Sequence, residues 1–427
     1  MQKILVNGGK PLVGKIKISG SKNSALPIIA ASLMSTGTIN IKNVPNISDV
    51  QSMLSIINYT GSNAVYKNNN NVIINCNCKL NTNFSGASKI MQKLRGSSLV
   101  MGASLAVNGH VVIPATGGCN IGQRPLNMHL NGFRKLGAKI QHLDNSLLLI
   151  SVPKSLQGAK INMSKISVGA TENILMAATM ADGFTEINNA AMEPEIVDLA
   201  NFLNKMGANI QGAGTSTITI KGTTKLSNDV DHTVESDRIE AASYALAAMI
   251  TKGEITLIGN KLIQKSVANK IKEAGGIINQ CANAITITAP YKINPINIST
   301  MPYPDFPSDA QPQFTALLSL ASGCSTIQEN IFENRFAHTE ELKKMGANIY
   351  TISENTIQIN GVRSLQAAEV QATNLRSAMS LVIAALSAKG ETLITNPFHL
   401  DRGYENPELK LSQCGAKLKR LTEKIDI

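Results

Sequence analysis

The feature that most constrains this chain of 427 residues is an internal repeat with a period of about 70 residues. A glycine closes a helix-like segment six times, and successive copies are 76, 70, 68, 71 and 69 residues apart. A second glycine recurs between them, after an apolar segment and before an alternating one. The first set is Gly61, Gly137, Gly207, Gly275, Gly346 and Gly415, and the second is Gly37, Gly109, Gly183, Gly253, Gly323 and Gly390. Two markers with one period predict six copies of one supersecondary unit.

Each repeat has the same internal pattern. Its first helix-like segment is apolar on nearly all sides, as in residues 241–250, and is predicted to be buried. Its second is amphipathic, as in residues 197–206, and a short alternating strand follows, as in residues 216–220. Glycine adopts the left-handed conformation at a helix C-terminus without cost, which accounts for both markers. The predicted fold class is therefore α/β, with six repeats of roughly βαβαβ form and mixed sheets.

The six repeats are predicted to form two domains of three, because a core of about 200 residues is near the usual limit. The first domain is predicted to span residues 22–234, and the second to combine residues 1–21 with 235–427. Strands at 3–6 and 15–19 match those that precede other buried helices, so they are assigned to the second domain. Ligands usually bind in clefts between domains, so we expect the active site there.

Composition limits the class of partner. The formal charge is +11, but lysine and arginine are scattered, tryptophan is absent and aromatic residues make up only 4%. This pattern argues against nucleic acid and suits small anionic substrates. No apolar run approaches the roughly 18 residues that cross a bilayer, so membrane insertion is not expected. A monomer is compatible with the sequence, which does not fix the oligomeric state.

The remaining motifs indicate an enzyme without a bound metal or cofactor. Six histidines show no paired spacing, and neither a Walker motif nor a dinucleotide-binding glycine motif is present. Six cysteines in a chain of this length form no disulfide framework, and the first residues lack the apolar segment of a signal peptide. We therefore expect a cytoplasmic enzyme.

A reactive loop is predicted at Gly117–Pro125, which reads Gly-Gly-Cys-Asn-Ile-Gly-Gln-Arg-Pro. Its glycines allow the backbone to approach a ligand, and Arg124 follows Cys119 by five residues. Nearby cations lower the pKa of a thiol, so Cys119 is predicted to be a nucleophile or a proton donor. The alternative is a buried structural cysteine, but these normally occur in apolar runs.

Cations stand before several of the predicted buried helices. Helix N-termini attract anions through free N–H groups and the helix dipole. Each cation alone is typical of a solvated surface, but recurrence at equivalent positions favours a site for phosphate and carboxylate groups. The residues are Lys22, Arg95, Lys165 and Arg376, with Arg335 and Arg402 in other strand-to-helix loops.

Asp309 follows two prolines in the segment Pro304–Asp309. A carboxylate on such a stiff loop is suited to act as a general base toward a substrate hydroxyl. The alternative is that Asp309 caps the helix that follows it. Local sequence favours neither role.

Six segments together resemble the UDP-N-acetylglucosamine enolpyruvyl transferases, essentially from end to end. They are Ser19–Pro27, Gly117–Pro125, Glu193–Asp198, Phe306–Asp309, Phe332–Phe336 and Asp401–Tyr404. The resemblance implies the two-domain inside-out α/β barrel of that family. It also implies transfer of the enolpyruvyl group of phosphoenolpyruvate to the 3′-hydroxyl of UDP-N-acetylglucosamine, with release of phosphate. This reaction is the first committed step of peptidoglycan precursor synthesis.

The resemblance also implies roles for individual residues. Cys119 would donate a proton to the methylene carbon, with a covalent adduct left open, and Asp309 would deprotonate the sugar hydroxyl. Phosphoenolpyruvate would be held by Lys22, Asn23, Arg124 and Arg402. The UDP-sugar would contact Arg95, Arg124, Pro125, Leu126, Asn127, Met128, Lys165, Ile166, Ser167, Val168, Asp309 and Ile331. Arg335 and Arg376 would support the site.

The chain departs from the family pattern at two positions. Asn374 stands where an aspartate is usual, and Met192 stands where an arginine often precedes the Glu-Pro-Glu motif. Three alternatives remain open: the shikimate-pathway enolpyruvyl transferase, a catalytically silent protein that binds UDP-sugars, and an RNA-processing protein with a related repeat. The scattered charge disfavours the third, and retention of Cys119 and Asp309 disfavours the second.

Overall fold

The computed structural model describes residues 2–77, 79–114, 125–143 and 147–422. The strands are β1 (Gln2–Asn7), β2 (Val13–Lys17), β3 (Thr38–Lys42), β4 (Asn63–Lys67), β5 (Asn71–Asn75), β6 (His110–Pro114), β7 (Lys139–Leu143), β8 (Leu147–Ser151), β9 (Lys160–Asn162), β10 (Phe184–Asn188), β11 (Asn209–Gln211), β12 (Thr217–Lys221), β13 (Val230–Thr233), β14 (Glu254–Ile258), β15 (Ile277–Cys281), β16 (Ala284–Thr288), β17 (Ile298–Ser299), β18 (Cys324–Gln328), β19 (Asn348–Ser353), β20 (Thr356–Asn360), β21 (Glu369–Gln371), β22 (Glu391–Thr395) and β23 (Lys417–Thr422).

The α-helices are α1 (Lys22–Ala31), α2 (Ser48–Tyr59), α3 (Ser88–Lys93), α4 (Val100–Asn108), α5 (Asn127–Lys135), α6 (Val168–Thr179), α7 (Pro194–Lys205), α8 (Arg238–Ile250), α9 (Lys265–Glu273), α10 (Gln311–Leu318), α11 (His338–Lys344), α12 (Leu375–Ser387) and α13 (Pro407–Gln413). Short 3-10 helices cover Ser32–Met34, Phe84–Ala87, Arg95–Leu99, Ser308–Ala310 and Pro397–Arg402. Within the described ranges no helix is long and apolar enough to cross a membrane.

The chain folds into two compact units, each with its own hydrophobic core. The central unit contains the described residues from 20 to 235, and the flanking unit contains residues 2–19 and 236–422. Helices α1, α4 and α6 lie in the first core and α8, α10 and α12 in the second. These six helices are the apolar segments of the repeat, and their burial inside a layer of sheets follows from their lack of a polar face.

Five of the six described sheets have four strands, one more than the predicted repeat supplies. In the repeat of residues 160–221, β9 is parallel to β10, β10 is antiparallel to β12, and β12 is antiparallel to β11. The extra strand is β11, which forms a hairpin with the predicted alternating strand, so the repeat is βαβαββ. The six sheets have the strand orders β13-β3-β5-β4, β6-β8-β7, β11-β12-β10-β9, β15-β16-β14-β2, β17-β18-β20-β19 and β21-β22-β1-β23.

The two N-terminal strands take different positions in the flanking unit. As predicted, β2 takes the place of the strand that precedes the buried helix in other repeats, here called the leading strand, and it runs parallel to β14. The prediction for the first strand is wrong: β1 lies between β22 and β23 and is antiparallel to both. Alternation explains its fit, because Ile4 and Val6 are fully buried on one face while both strand edges are paired. In the central unit, the leading strand of the first repeat is β13, parallel to β3.

The second repeat lacks a leading strand. Its described sheet has three strands, and the preceding segment contributes only a bridge between Asn83 and Val112. Two 3-10 helices and α3 occupy residues 84–99 instead, where Ser-Gly-Ala-Ser at 85–88 interrupts any alternating pattern. This irregular segment ends in the turn that carries Arg95.

The two glycine markers have different physical causes. All six glycines of the first set have φ between 87° and 100°, which confirms left-handed helix ends. In the second set only Gly109, Gly183 and Gly390 have positive φ. At Gly253 the preceding Lys252 is left-handed instead, and a Cβ on the glycine would collide with the Leu12 carbonyl oxygen. Close backbone approach, rather than a helix cap, therefore accounts for Gly253 and for Gly37, whereas a Cβ on Gly323 would meet the Pro295 ring.

Candidate active site

Asp309 lies in the 3-10 turn Ser308–Ala310 that precedes α10, and two arginines hold its carboxylate. Its Oδ1 lies 2.6 Å from Nη2 of Arg335 and its Oδ2 lies 2.8 Å from Nη2 of Arg376. The arginine side chains are 2% and 8% exposed, whereas that of Asp309 is 30% exposed. Ala310, rather than Asp309, stands at the N-cap position of α10, and no side-chain cap hydrogen bond is made from that position. The turn instead presents a partly exposed carboxylate on a cationic support.

Each arginine is fixed by further contacts. Arg335 donates from Nε and Nη2 to the Ser308 carbonyl oxygen, at 3.3 and 3.1 Å. Burial acts to lower the pKa of the Arg376 guanidinium, but the adjacent Asp309 carboxylate outweighs it, and the pKa lies above its ordinary value. Both guanidinium groups lie within ion-pair distance of the Asp309 carboxylate and favour its ionised form.

Asn374, one of the two departures from the family pattern, caps the helix that carries Arg376. Its side-chain oxygen accepts hydrogen bonds from the backbone N–H groups of Arg376 (3.1 Å) and Ser377 (3.0 Å). Asparagine and aspartate are comparably good caps. The substitution therefore keeps the helix start that positions Arg376.

Glu329 is a buried carboxylate that the sequence did not single out. Its Oε1 accepts from the backbone N–H groups of Ile331 (2.9 Å) and Phe332 (3.1 Å), and its Oε2 accepts from the Ser308 hydroxyl (2.9 Å). The side chain thus joins the loop of Ile331 to the turn of Asp309. In the sequence, the signal for this role is a carboxylate directly after the alternating strand β18.

Lys22 and Asn23 open α1 in the central unit, and both are partly buried. The Lys22 ammonium lies 2.8 Å from Oδ2 of Asp49, a residue that the sequence did not single out. Their side chains are 14% and 6% exposed, so water screens this pair only partly. Asp49 occupies the first turn of α2, where a carboxylate is common because it interacts favourably with the helix dipole. The sequence therefore gave no reason to expect its ion pair with Lys22.

Apart from Arg124, Asp309 and Ile331, the residues predicted to contact the UDP-sugar lie at helix starts of the central unit. Arg95 begins the turn before α4, residues 125–128 span the start of α5, and residues 165–168 span the start of α6. Ser167 caps α6 by accepting from the Ala170 N–H at 3.4 Å. Pro125, Asn127 and Lys165 are exposed, while Leu126 is buried.

A buried histidine ties two of these helix starts together. Burial, aided by the Arg95 charge, lowers the pKa of His129 to about 3, so the ring is neutral. Its Nδ1 therefore accepts from Nδ2 of Asn173 at 3.0 Å. Asn173 also bonds the backbone of Ser98 and Gly102, so α4, α5 and α6 share one polar contact.

Arg402 ends the 3-10 helix Pro397–Arg402 of the flanking unit and is partly buried. The preceding Asp401 makes two hydrogen bonds with Arg420, both 2.7 Å long. Arg420 also contacts Glu408, so the turn is anchored on both sides. The turn that carries Arg402, a predicted ligand-binding residue, is therefore held in place by these contacts.

The structure brings together Asp309, Arg335 and Arg376, and places Ile331 on the adjoining loop. Cys119 and Arg124 lie outside the described residues. Within the described parts of the chain, no group of three or more histidine, cysteine, aspartate or glutamate side chains could hold a metal ion. The arrangement supplies a held carboxylate and several cations, which suits proton abstraction beside an anionic substrate.

Comparison with known proteins extends over nearly the whole chain. The family model described as EPSP synthase (3-phosphoshikimate 1-carboxyvinyltransferase) matches residues 6–411. The UDP-N-acetylglucosamine 1-carboxyvinyltransferase of Wolbachia sp. subsp. Brugia malayi is 46% identical over 425 residues, covering 98% of this chain and 99% of that protein. The enzyme of the same name from Dinoroseobacter shibae is 43% identical over 425 residues, covering 99% and 100%.

Solved structures share the fold. The enolpyruvyl transferase NikO from Streptomyces tendae has a TM-score of 0.89 at 22% identity, over 99% of both chains. EPSP synthase from Acinetobacter baumannii has a TM-score of 0.75 at 20% identity, over 99% of this chain and 100% of that one. The predicted fold class and the resemblance are confirmed. The chain therefore belongs to the enolpyruvyl transferase family, in which its full-length relatives are UDP-N-acetylglucosamine 1-carboxyvinyltransferases.

Proposed function

We propose that this enzyme transfers the enolpyruvyl group of phosphoenolpyruvate to the 3′-hydroxyl of UDP-N-acetylglucosamine and releases phosphate. The observation that carries the proposal is the 46% identity, over 98% of the chain, to a protein named for this reaction. Family members named for a different acceptor, the EPSP synthases, resemble the chain at only 19% and 20% identity among the solved structures. The UDP-sugar is therefore the favoured acceptor.

Phosphoenolpyruvate carries a phosphate and a carboxylate, and the proposal assigns Lys22, Asn23, Arg124 and Arg402 to bind it. Lys22 suits this role because the N-terminus of α1 adds positive potential beside its ammonium. Asp49 holds the ammonium at 2.8 Å before substrate arrives. This pairing orients Lys22, so that binding needs little rearrangement of the side chain.

Asp309 is the proposed base toward the sugar hydroxyl. Two guanidinium groups keep it ionised, which makes it a weak base, so its contribution depends on position. The neighbouring cations also favour the negative charge that develops on the attacking oxygen. Cys119 is the proposed acid that protonates the methylene carbon.

The proposed reaction has two balanced steps. In the addition, the sugar oxygen bonds to carbon 2 of phosphoenolpyruvate, its proton passes to Asp309, and Cys119 protonates carbon 3. In the elimination, the bond from carbon 2 to the phosphate oxygen breaks, carbon 3 gives a proton to the Cys119 thiolate, and the proton on Asp309 passes to the departing phosphate. The products are the enolpyruvyl ether and phosphate, and no oxidant or metal is needed for the balance.

The UDP-sugar is assigned to Arg95, Arg124, Asp309, Ile331 and the helix starts at 125–128 and 165–168. Exposed backbone and side chains at those starts can meet a diphosphate and a uracil. The predicted domains, 22–234 and 1–21 with 235–427, and the cleft between them as the active site stay part of this proposal. The cytoplasm remains the predicted compartment, and a monomer the simplest predicted state.

The test is phosphate release from phosphoenolpyruvate with two acceptors offered separately, UDP-N-acetylglucosamine and shikimate 3-phosphate. We expect release only with the UDP-sugar, and loss of release in Cys119→Ala. Cys281→Ala is the matched control, because Cys281 is exposed and lies in the edge strand β15. Release with shikimate 3-phosphate alone would replace the proposed acceptor, and no release with either would contradict the proposal.

A further inference from the structure

A buried polar cluster surrounds the other terminal nitrogen of Arg376. The side chains of Tyr404, Ser243 and Gln313 meet there, and these residues are 1%, 0% and 1% exposed. Nη1 of Arg376 lies 3.4 Å from the Tyr404 hydroxyl, which lies 2.8 Å from the Ser243 hydroxyl. Nε2 of Gln313 lies 3.2 Å from each hydroxyl. Helices α8, α10 and α12, the three buried helices of the flanking unit, all contribute to this cluster.

Donor and acceptor chemistry fixes the direction of each hydrogen bond. Ser243 donates its proton to the carbonyl oxygen of Ile239 at 2.8 Å, so the Tyr404 hydroxyl donates to Ser243. Burial raises the pKa of Tyr404, which keeps its proton in place. The phenolic oxygen is then left as an acceptor for Gln313 and Arg376, and all three of its sites are used.

Fixing Nη1 also fixes the opposite nitrogen, because a guanidinium is planar and rigid. Nη2 of Arg376 is the group that binds Oδ2 of Asp309 at 2.8 Å. The Tyr404 ring lies 5.9 Å from the Arg376 guanidinium carbon and covers it on that side. The position of one oxygen of Asp309 is thus set by the Tyr404 hydroxyl, through Arg376.

We propose that Tyr404 is a positioning residue for the base Asp309, acting through Arg376 and supported by Ser243 and Gln313. The inference rests on the proposed function, in which Asp309 deprotonates the sugar hydroxyl. Tyr404 touches neither substrate in this scheme. Its hydroxyl holds the guanidinium that aims the carboxylate.

The test compares Tyr404→Phe with wild type in the phosphate-release assay across pH. We expect kcat to fall about tenfold, the rate equivalent of one hydrogen bond, while KM for phosphoenolpyruvate stays within about twofold. Among the described residues, the charged groups that act on Asp309 and Arg376 include Arg335 and, more remotely, Asp237. A loosened Arg376 favours the carboxylate less, so the loss of kcat at low pH should move to higher pH.

A matched control is Tyr244→Phe. Tyr244 is equally buried and lies on α8 beside Ser243, but its hydroxyl is not part of the cluster. We expect it to keep the wild-type kcat and pH profile. Ser243→Ala removes the acceptor of the Tyr404 proton and carries the test if Tyr404→Phe does not fold, with a smaller change in the same direction.

The outcomes separate the two proposals. Wild type without phosphate release in the presence of the UDP-sugar overturns the proposed function, and the positioning role with it. An active wild type whose kcat and pH profile are unchanged by Tyr404→Phe, or by Ser243→Ala in its place, overturns the positioning role alone. A lower melting temperature with unchanged kinetics gives Tyr404 a purely structural role and also overturns it.

Discussion

Replacing Asp309 by asparagine tests the site most directly, because the ion pairs of this carboxylate and its proposed role as a base predict two separate effects. Asparagine keeps the size of the side chain and one oxygen acceptor, but it removes the negative charge between Arg335 and Arg376. Those arginines are 2% and 8% exposed, so they would be left as buried cations without their counterion. The same change removes the proposed base.

The stability effect follows from burial. Breaking a buried ion pair by removing one partner costs about 3–5 kcal/mol. Water reaches Asp309, which is 30% exposed, and the remaining amide oxygen still accepts a hydrogen bond, so we expect about 2–3 kcal/mol. For a unit of about 200 residues this lowers the melting temperature by about 4–12 °C.

The kinetic effect is larger. Loss of a general base reduces kcat by about 10²- to 10⁴-fold. Phosphate release and calorimetric melting on the same sample measure both effects. Asp305→Asn is the matched control, since Asp305 is exposed on the same loop and should change stability by less than about 0.5 kcal/mol.

Two results would refute this reasoning. An Asp309→Asn enzyme that keeps kcat within about tenfold has another base. A variant that melts at the wild-type temperature or above shows that the carboxylate contributes no net stability between its arginines. The first result would not affect the predicted stabilisation by the ion pairs, and the second would not affect the proposed role of Asp309 as a base.

Four further predictions concern other parts of the chain. Asp49→Asn should raise KM for phosphoenolpyruvate by about three- to tenfold with little change in kcat, because Lys22 loses its orienting partner; equal loss in both constants would contradict this. The epoxide fosfomycin should alkylate Cys119 in the presence of UDP-N-acetylglucosamine, and an unmodified peptide by mass spectrometry would contradict it. His129 takes up a proton below about pH 6.5 in the unfolded chain but only near pH 3 in the folded chain. As the pH drops from 6.5, the unfolding free energy of the wild type should therefore fall relative to that of His129→Gln, by up to about 1.4 kcal/mol per pH unit. Unfolding free energies of the two proteins that change in parallel with pH would refute this. Asn374→Asp should leave stability within about 0.5 kcal/mol and activity within tenfold, since both residues cap α12; a large gain in kcat would show that the missing carboxylate matters.

Sequence alone was most informative where a local backbone conformation requires one type of residue. The left-handed helix ends at Gly61 and its five equivalents could be read from spacing because glycine alone adopts that conformation freely. The buried helices could be predicted because a helix without a polar face is stable only inside a core. Fold class and family followed from these features and from the motifs.

Sequence was least informative where partners meet across long distances along the chain. Nothing local indicates that Asp309 lies between Arg335 and Arg376, that Asp49 holds Lys22, or that Glu329 reaches Ser308, since each contact is made by folding. The position of β1 was missed for the same reason: its alternating pattern fits either a leading or a closing strand, and only pairing decides.

The position of β1 also sets an order for folding during synthesis. Ile4 pairs with Ile394 on one side and with Arg420 on the other, so β1 is synthesised long before both of its partners. The central unit needs nothing beyond Glu235, because its own β13 supplies the leading strand beside β3. It can fold while the rest of the chain is still being made. The segment Gln2–Lys17 must wait unpaired for β14, β22 and β23, and in that interval its strands are open to chaperones and proteases.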